Sequence, residues 1–297
     1  MAHPQSNPRI PFQLQSERPR LEPPEGKPLI VHVVVNVEHW EFNQPMPRTA
    51  ITPPQGKAIV PDVPNWSWAE YGNRCGMPRL LGALSGRNLP ASASINAACF
   101  EVYLSLGRAI LKVGWEIIGH GIFQHSVRSE PDEAGYLKRA LDMFEKHCGK
   151  RPRGWLGPGL AETDETPDLL KKLGIDHVYD WMVDDLPAWI ETKHGPLMAM
   201  PYTLDLNDSV ITAVEKHASD EMYRRVNETV AVFEPELEEN PRILTIATHP
   251  HLTGVPHRMG HFNRILDTLM ARDDVIFMTG SQIADWYAAA EKAATGG

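Results

Sequence analysis

Short apolar runs alternate along the chain with segments whose apolar residues recur at helical spacing. VHVVVNV, from Val31 to Val37, is β-branched with no room for a turn and predicts a buried strand. PASASIN, WEIIGH, RGWLGP, HVYD, RILTIATHP and VIFMTG predict further short strands. Between them, Met77, Leu80, Leu81 and Leu84 share a helical face, and Ala98 to Val113 is helical. Leu137, Leu141, Phe144 and Cys148 keep the same period over 131–148. TPDLLKKLG is a helix with Thr166 as its cap, Pro167 and Asp168 in its first turn and Gly174 at its stop. Helices over 218–237 and 261–271 and the terminal SQIADWYAAAEKAA complete the pattern. Short strands alternating with helices predict a parallel sheet, open or closed into a barrel.

Two stretches depart from this pattern. The first 27 residues are rich in Pro, Arg, Gln and Glu and predict an arm that wraps the domain or packs on a neighbouring subunit. Residues 28–297 then form a single domain, a length that one barrel can absorb. Asn43 to Asn65 carries Pro45, Pro47, Pro53, Pro54, Pro61 and Pro64, and a Pro-rich loop of that length in a compact domain is expected to be functional. The net charge of −9 argues against nucleic acid or an anionic membrane as partner. No apolar run is long enough to span a bilayer, and the N-terminus lacks the apolar core of a signal peptide. Cys75, Cys99 and Cys148 fit neither a disulfide framework nor a zinc knuckle, so the expected compartment is the reducing cytoplasm.

Polar residues gather where predicted strands end. Asn36, Glu38 and His39 follow the first strand; His120, Gln124 and His125 follow WEII; Trp155 and the Gly157–Pro158–Gly159 turn follow RG. Asp180, Asp184 and Asp185 follow HVY, and His249 and His251 follow RILTIA. The carboxyl edge of parallel strands is where α/β folds hold their active sites. Each cluster has a plainer reading. A lone acid past a strand is usually solvated, adjacent aspartates usually form a turn, and Arg74 and Arg153 have carboxylates to pair with. Phosphate loops, a serine elbow and local Cys–His patterns are missing from the sequence. The chemistry left is hydrolysis by activated water, with carboxylate and imidazole as base and acid, with or without a metal.

In order, NVEHW, GWEIIGHGIFQHS, RPRGWLGPG and ATHPH resemble the motifs of the polysaccharide deacetylase superfamily. EYGNRCG, YDWMVDDLPAWI, MPYTLDLND and HPHLTGVPHR make the chain most similar to its allantoinase-like branch, which opens cyclic ureides. The resemblance implies an α/β fold, an irregular (β/α) barrel of the polysaccharide deacetylase type. It makes Glu38 the general base, where the family normally has aspartate, and His249 the acid to the leaving nitrogen. His39 stands where a second acid would bind metal, His120 matches the first metal histidine, and Gln124 occupies the place of the second, with His125 beside it. The implied cofactor is one divalent metal such as zinc on His39, His120 and His125, or the mechanism is metal-free.

The expected function is hydrolysis of carbon–nitrogen bonds other than peptide bonds in a small intracellular amide or cyclic ureide. The alternatives are metal-dependent N-deacetylation of an amino sugar and a non-catalytic small-molecule binding protein. A cation or N–H donors near Trp155 to Gly159 would stabilise the oxyanion. Trp40, Tyr71, Arg74, Arg153, Trp155, Trp181, Asp184 and Arg258 are the expected substrate-binding residues. The partner is a small-molecule substrate, with a homo-oligomer built on the arm as a further expectation.

Overall fold

The computed structural model describes residues 5–52 and 56–296; the start of the arm (1–4), Pro53 and Pro54 of the Pro-rich loop, Gln55 and Gly297 lie outside the described residues. The strands are β1 (Leu29–Val37), β2 (Ser92–Ile95), β3 (Glu116–Gly119), β4 (Gly154–Trp155) and β5 (His177–Val178), followed by β6 (Ala188–Ile190), β7 (Leu197–Ala199), β8 (Arg242–Thr248) and β9 (Val275–Phe277). They form one sheet in the order β6-β7-β5-β4-β3-β2-β1-β8, with β9 also on β1. Every pairing is parallel except β6 with β7. The sequence pattern does not predict this β6–β7 hairpin, because strands of three residues carry too little periodicity to read.

The nine-residue β1 is the staff of the sheet. Its length gives β8 a partner from Leu29 to Val35, while β9 takes Leu29–Val31 and β2 takes Val34–Val37. The sheet curls. The segment after β7 crosses to β8, where Asn207 bridges Ala247, Ala247 N–H donates to Leu206 O at 3.0 Å and Thr245 Oγ1 donates to Pro201 O at 2.6 Å. Irregular chain therefore closes the barrel where a strand ladder is lacking. Among the described residues no helix is long and apolar enough to cross a membrane.

Two cores follow from the curl. Val31, Val33, Val35 and Val37 face outward into a cluster with Leu80, Leu84, Ile110, Leu137, Leu141 and Phe144 of the surrounding helices. Ile30 and Val34 face inward with Ile118, Leu156, Tyr179, Ile243 and Ala247. Side chains alternate across a strand, so residue parity decides which polar residues meet inside the barrel.

The helical segment from Val63 to Ser85 is interrupted by a wide π-type turn at Gly72–Gly76. A Cβ on Gly72 would sit 2.3 Å from His251 N, and one on Gly76 would sit 2.0 Å from Pro250 O. Glycine at both places lets this helix lie directly on the turn that carries His249 and His251. The arm runs along the protein's own surface. Glu191 N–H donates to Arg9 O at 2.9 Å, Arg9 pairs with Asp168 at 3.0 Å, and Arg18 pairs with Asp184 at 3.1 Å. Leu21 is buried and its N–H donates to Asn240 Oδ1 at 3.0 Å.

Candidate active site

Parity brings Asn36 and Glu38 from the end of β1, His120 from β3 and His249 from β8 to the upper interior of the barrel. There they line a cavity of about 480 Å³. Pro45, Pro47 and Arg48 of the Pro-rich loop form one wall, and the turn from Leu156 to Ala161 forms another.

Glu38 is tightly held. Its Oε2 accepts from Trp40 Nε1 at 2.8 Å and its Oε1 accepts from Gln124 Nε2 at 2.8 Å. His249 Nε2 lies 3.5 Å from Oε1, and His120 Nε2 lies 3.9 Å away. Burial alone would push the carboxyl group up, yet the hydrogen bonds and charges of His120 and His249 hold it well below the usual carboxylate range. His249 is set from behind. Its Nδ1 donates to Asp208 Oδ1 at 2.6 Å, while Asp208 Oδ2 accepts from His249 N, Thr253 N and Thr253 Oγ1. Burial disfavours charge on this ring, but Asp208 and then Glu38 outweigh it and raise the imidazole to about 10. The pair is therefore an anion facing a cation at neutral pH. His251, packed edge-on against Trp68 at 4.6 Å and Trp40 at 5.4 Å, is lowered by burial to about 4 and stays neutral.

Two further groups offer unused hydrogen-bonding capacity. His120 Nδ1 donates to Leu156 O at 2.6 Å, and its buried Nε2, 3.9 Å from Glu38 Oε1, has no protein partner within hydrogen-bond distance. Tyr202 is buried, and its oxygen accepts from Asn36 Nδ2 at 2.9 Å and Asn207 Nδ2 at 3.4 Å. Both lone pairs are used, so its own O–H is left to donate into the cavity.

Several expectations need correction. His39 does not enter the site. One residue beyond Glu38, it has the parity of Val37, and its ring packs on Tyr103 at 5.5 Å and Phe123 at 6.0 Å with Nδ1 3.2 Å from Tyr103 Oη. His125 touches the cavity wall, but its Nε2 is bonded to Glu130 at 2.6 Å. Gln124 presents its N–H to Glu38, and its carbonyl accepts from Asn96 at 3.3 Å. His39, His120 and His125 are thus not a ligand set. Among the described residues no three His, Cys, Asp or Glu side chains are placed to hold a metal, so the residues present do not fit the implied cation.

Of the expected substrate-binding residues, only Trp40 lines the cavity. Trp155 has outward parity and lies in the helix-side core. Arg153 precedes β4, at the opposite edge of the sheet, and is tied to Asp176 and Asp285. Arg74 is exposed and pairs with Glu70; Tyr71 is exposed beneath Arg79. Trp181 donates to Glu162, and Asp184 holds Arg18 of the arm. Arg258 stands behind Asp208, bonded to Leu252 O at 3.1 Å. The Gly157 N–H expected to meet an oxyanion is occupied by Asp180 at 2.8 Å. Asp180 and Glu162 form a buried pair behind this turn; burial and mutual repulsion push Asp180 well up, and burial pushes Glu162 up to about 7. Asn36, Arg48, Gln124, Tyr202 and Asp208 are the site residues that the expected set omits. Parity was a usable signal for Asn36, whereas Asp208 and Tyr202 depend on the crossing from β7 to β8.

Comparison with known proteins agrees with this architecture. Residues 67–178 match the family model of polysaccharide deacetylase. A curated Schizosaccharomyces pombe protein named as a polysaccharide deacetylase is 26% identical over 239 residues, 74% of this chain and 75% of its own. A Pseudomonas aeruginosa structure also named as a polysaccharide deacetylase superposes with TM-score 0.82 at 25% identity, covering 92% of this chain and 95% of that one. The PuuE allantoinase shares the fold, with TM-score 0.79 at 24% identity over 96% of this chain and 95% of its own.

Proposed function

We propose, from the premise that this chain carries a polysaccharide deacetylase domain and is a hydrolase of carbon–nitrogen bonds, that it hydrolyses a small amide or cyclic ureide. One observation carries the reading: Glu38 Oε1 lies 3.5 Å from Nε2 of His249, whose Nδ1 is held by Asp208 at 2.6 Å, inside a cavity of about 480 Å³. The attacking water sits between Glu38 Oε1 and His120 Nε2, 3.9 Å apart, and donates to Glu38. Glu38 takes a proton from this water as its oxygen attacks the substrate carbonyl. The Tyr202 O–H donates to the oxyanion that develops. His249 then passes its Nε2 proton to the departing nitrogen, with Asp208 stabilising the ring throughout.

The names of the Schizosaccharomyces pombe and Pseudomonas aeruginosa relatives favour a second reading, removal of an acetyl group from an amino sugar. The cavity wall built from Pro45, Pro47 and Arg48 favours the small substrate. Initial rates on a panel of small amides, cyclic ureides and N-acetylated amino sugars separate the two. Glu38→Gln and His249→Asn should each lower kcat by about 10²–10⁴-fold, the usual worth of a general base or acid, with unchanged circular dichroism. Undiminished turnover in either variant would defeat the mechanism.

A further inference from the structure

We infer that Arg48 is a specificity-determining residue that recognises a carboxylate on the substrate; this rests on the small-amide reading and names its substrate class. Arg48 is half-buried and is the only lysine or arginine among the described residues lining the cavity. Elsewhere in this chain of net charge −9, Arg9, Arg18, Arg87, Arg153, Arg225 and Arg272 pair with acids, whereas Arg20, Arg108 and Arg139 are exposed and carry no ion pair among the described residues; Arg48 differs from these three in lining the cavity. Arg48 has no hydrogen bond or ion pair among the described residues. Arg79 and Arg258, on the helices nearest the site, spend donors on the carbonyls of Gly254 and Leu252.

The placement of Arg48 is fixed by its neighbours. Pro45 and Pro47 precede it, and just beyond it Asn65, itself buried, accepts from Ala50 N at 2.7 Å and Ile51 N at 3.0 Å and donates to Ile51 O at 3.0 Å. A restricted backbone reduces the entropy lost when the side chain clamps a ligand. Arg48 lines the same cavity as His249 and His251.

Glu38, the acid in the cavity lining, is already engaged by Trp40, Gln124 and His249. Gln124, Ser126, Asn207 and Ser209 add neutral polar wall. Within the lining, Glu38 is the acid that a substrate carboxylate would meet, and Arg48 offsets that repulsion. A guanidinium also binds a carboxylate through two parallel N–H donors, which fixes orientation as well as charge. Binding at Arg48 would orient the amide or ureide carbonyl towards Glu38.

The test is calorimetric titration of Glu38→Gln protein, which holds ligands without turning them over. The probes are N-carbamoylglycine and hydantoin-5-acetate, each beside its neutral primary amide. At least one carboxylate should bind about tenfold or more tightly than its amide. Adding Arg48→Ala should abolish that preference, and Arg48→Lys should retain part of it. Equal affinity within both pairs, no binding of either carboxylate, or a preference that survives Arg48→Ala would overturn the inference. Hydrolysis is scored separately: full turnover by Glu38→Gln would defeat the mechanism while leaving the binding result standing.

Discussion

Glu38 and His249 carry opposite charges because the residues around them outweigh the cost of burial. Glu38 must be ionised and His249 protonated for the proposed reaction, so kcat/KM should be flat through neutral pH and fall on the alkaline side as His249 loses its proton near 10. The stability consequence has a definite sign. A histidine raised above its ordinary 6.5 adds stability that is fully present below 6.5 and lost as pH rises through about 10. Thermal melts of the wild type should therefore fall across that window, more steeply than those of Asp208→Asn. His39 provides a sharp residue-level contrast. Its ring lies among Tyr103 and Phe123, so His39→Ala should keep kcat within about threefold of wild type. A loss of two orders of magnitude would restore it to the site.

At the scale of elements, close approach and wall-building matter most. Gly76 is where the helical segment meets the His249 turn, and an added Cβ would sit 2.0 Å from Pro250 O and 3.3 Å from Gly254 Cα. Gly76→Ala should destabilise by about 1–3 kcal/mol in urea unfolding, the usual cost of overpacking; an unchanged midpoint would show that the two segments separate freely. The turn of 157–161 rests on Glu162 and Asp180. A buried carboxyl raised to about 7 is ionised in the unfolded chain at lower pH than in the folded one. Stability therefore declines as pH rises above the ordinary 4.5, and the loss is complete once pH passes about 7. Glu162→Gln should melt higher than wild type at pH ~8 and lose that advantage at pH ~5; parallel curves would contradict the burial argument.

Over the whole molecule, the alternation of strands and helices was legible because β1 and β8 are long and β-branched. The carboxyl-edge rule singled out Glu38, His120 and His249, which line one cavity. It failed at His39 and Trp155 because proximity to a strand end says nothing of which face a residue takes; alternation from Asn36 to Glu38 would have set His39 aside. Arg153 failed for another reason: it enters β4 and does not leave it. Asp208 and Tyr202 were illegible because they reach the site only when the chain after β7 crosses to β8. Arg48 sits in a loop without periodicity, where pattern carries no information.

That a protonated His249 braced by Asp208 drives departure of the nitrogen is tested most directly by the kcat/KM–pH profile of wild type beside Asp208→Asn on the best amide or ureide substrate. With Asp208 neutralised, burial is opposed only by Glu38, so the alkaline limb should move to lower pH from its wild-type position near 10. Superimposable profiles, or a limb that moves to higher pH, would contradict it.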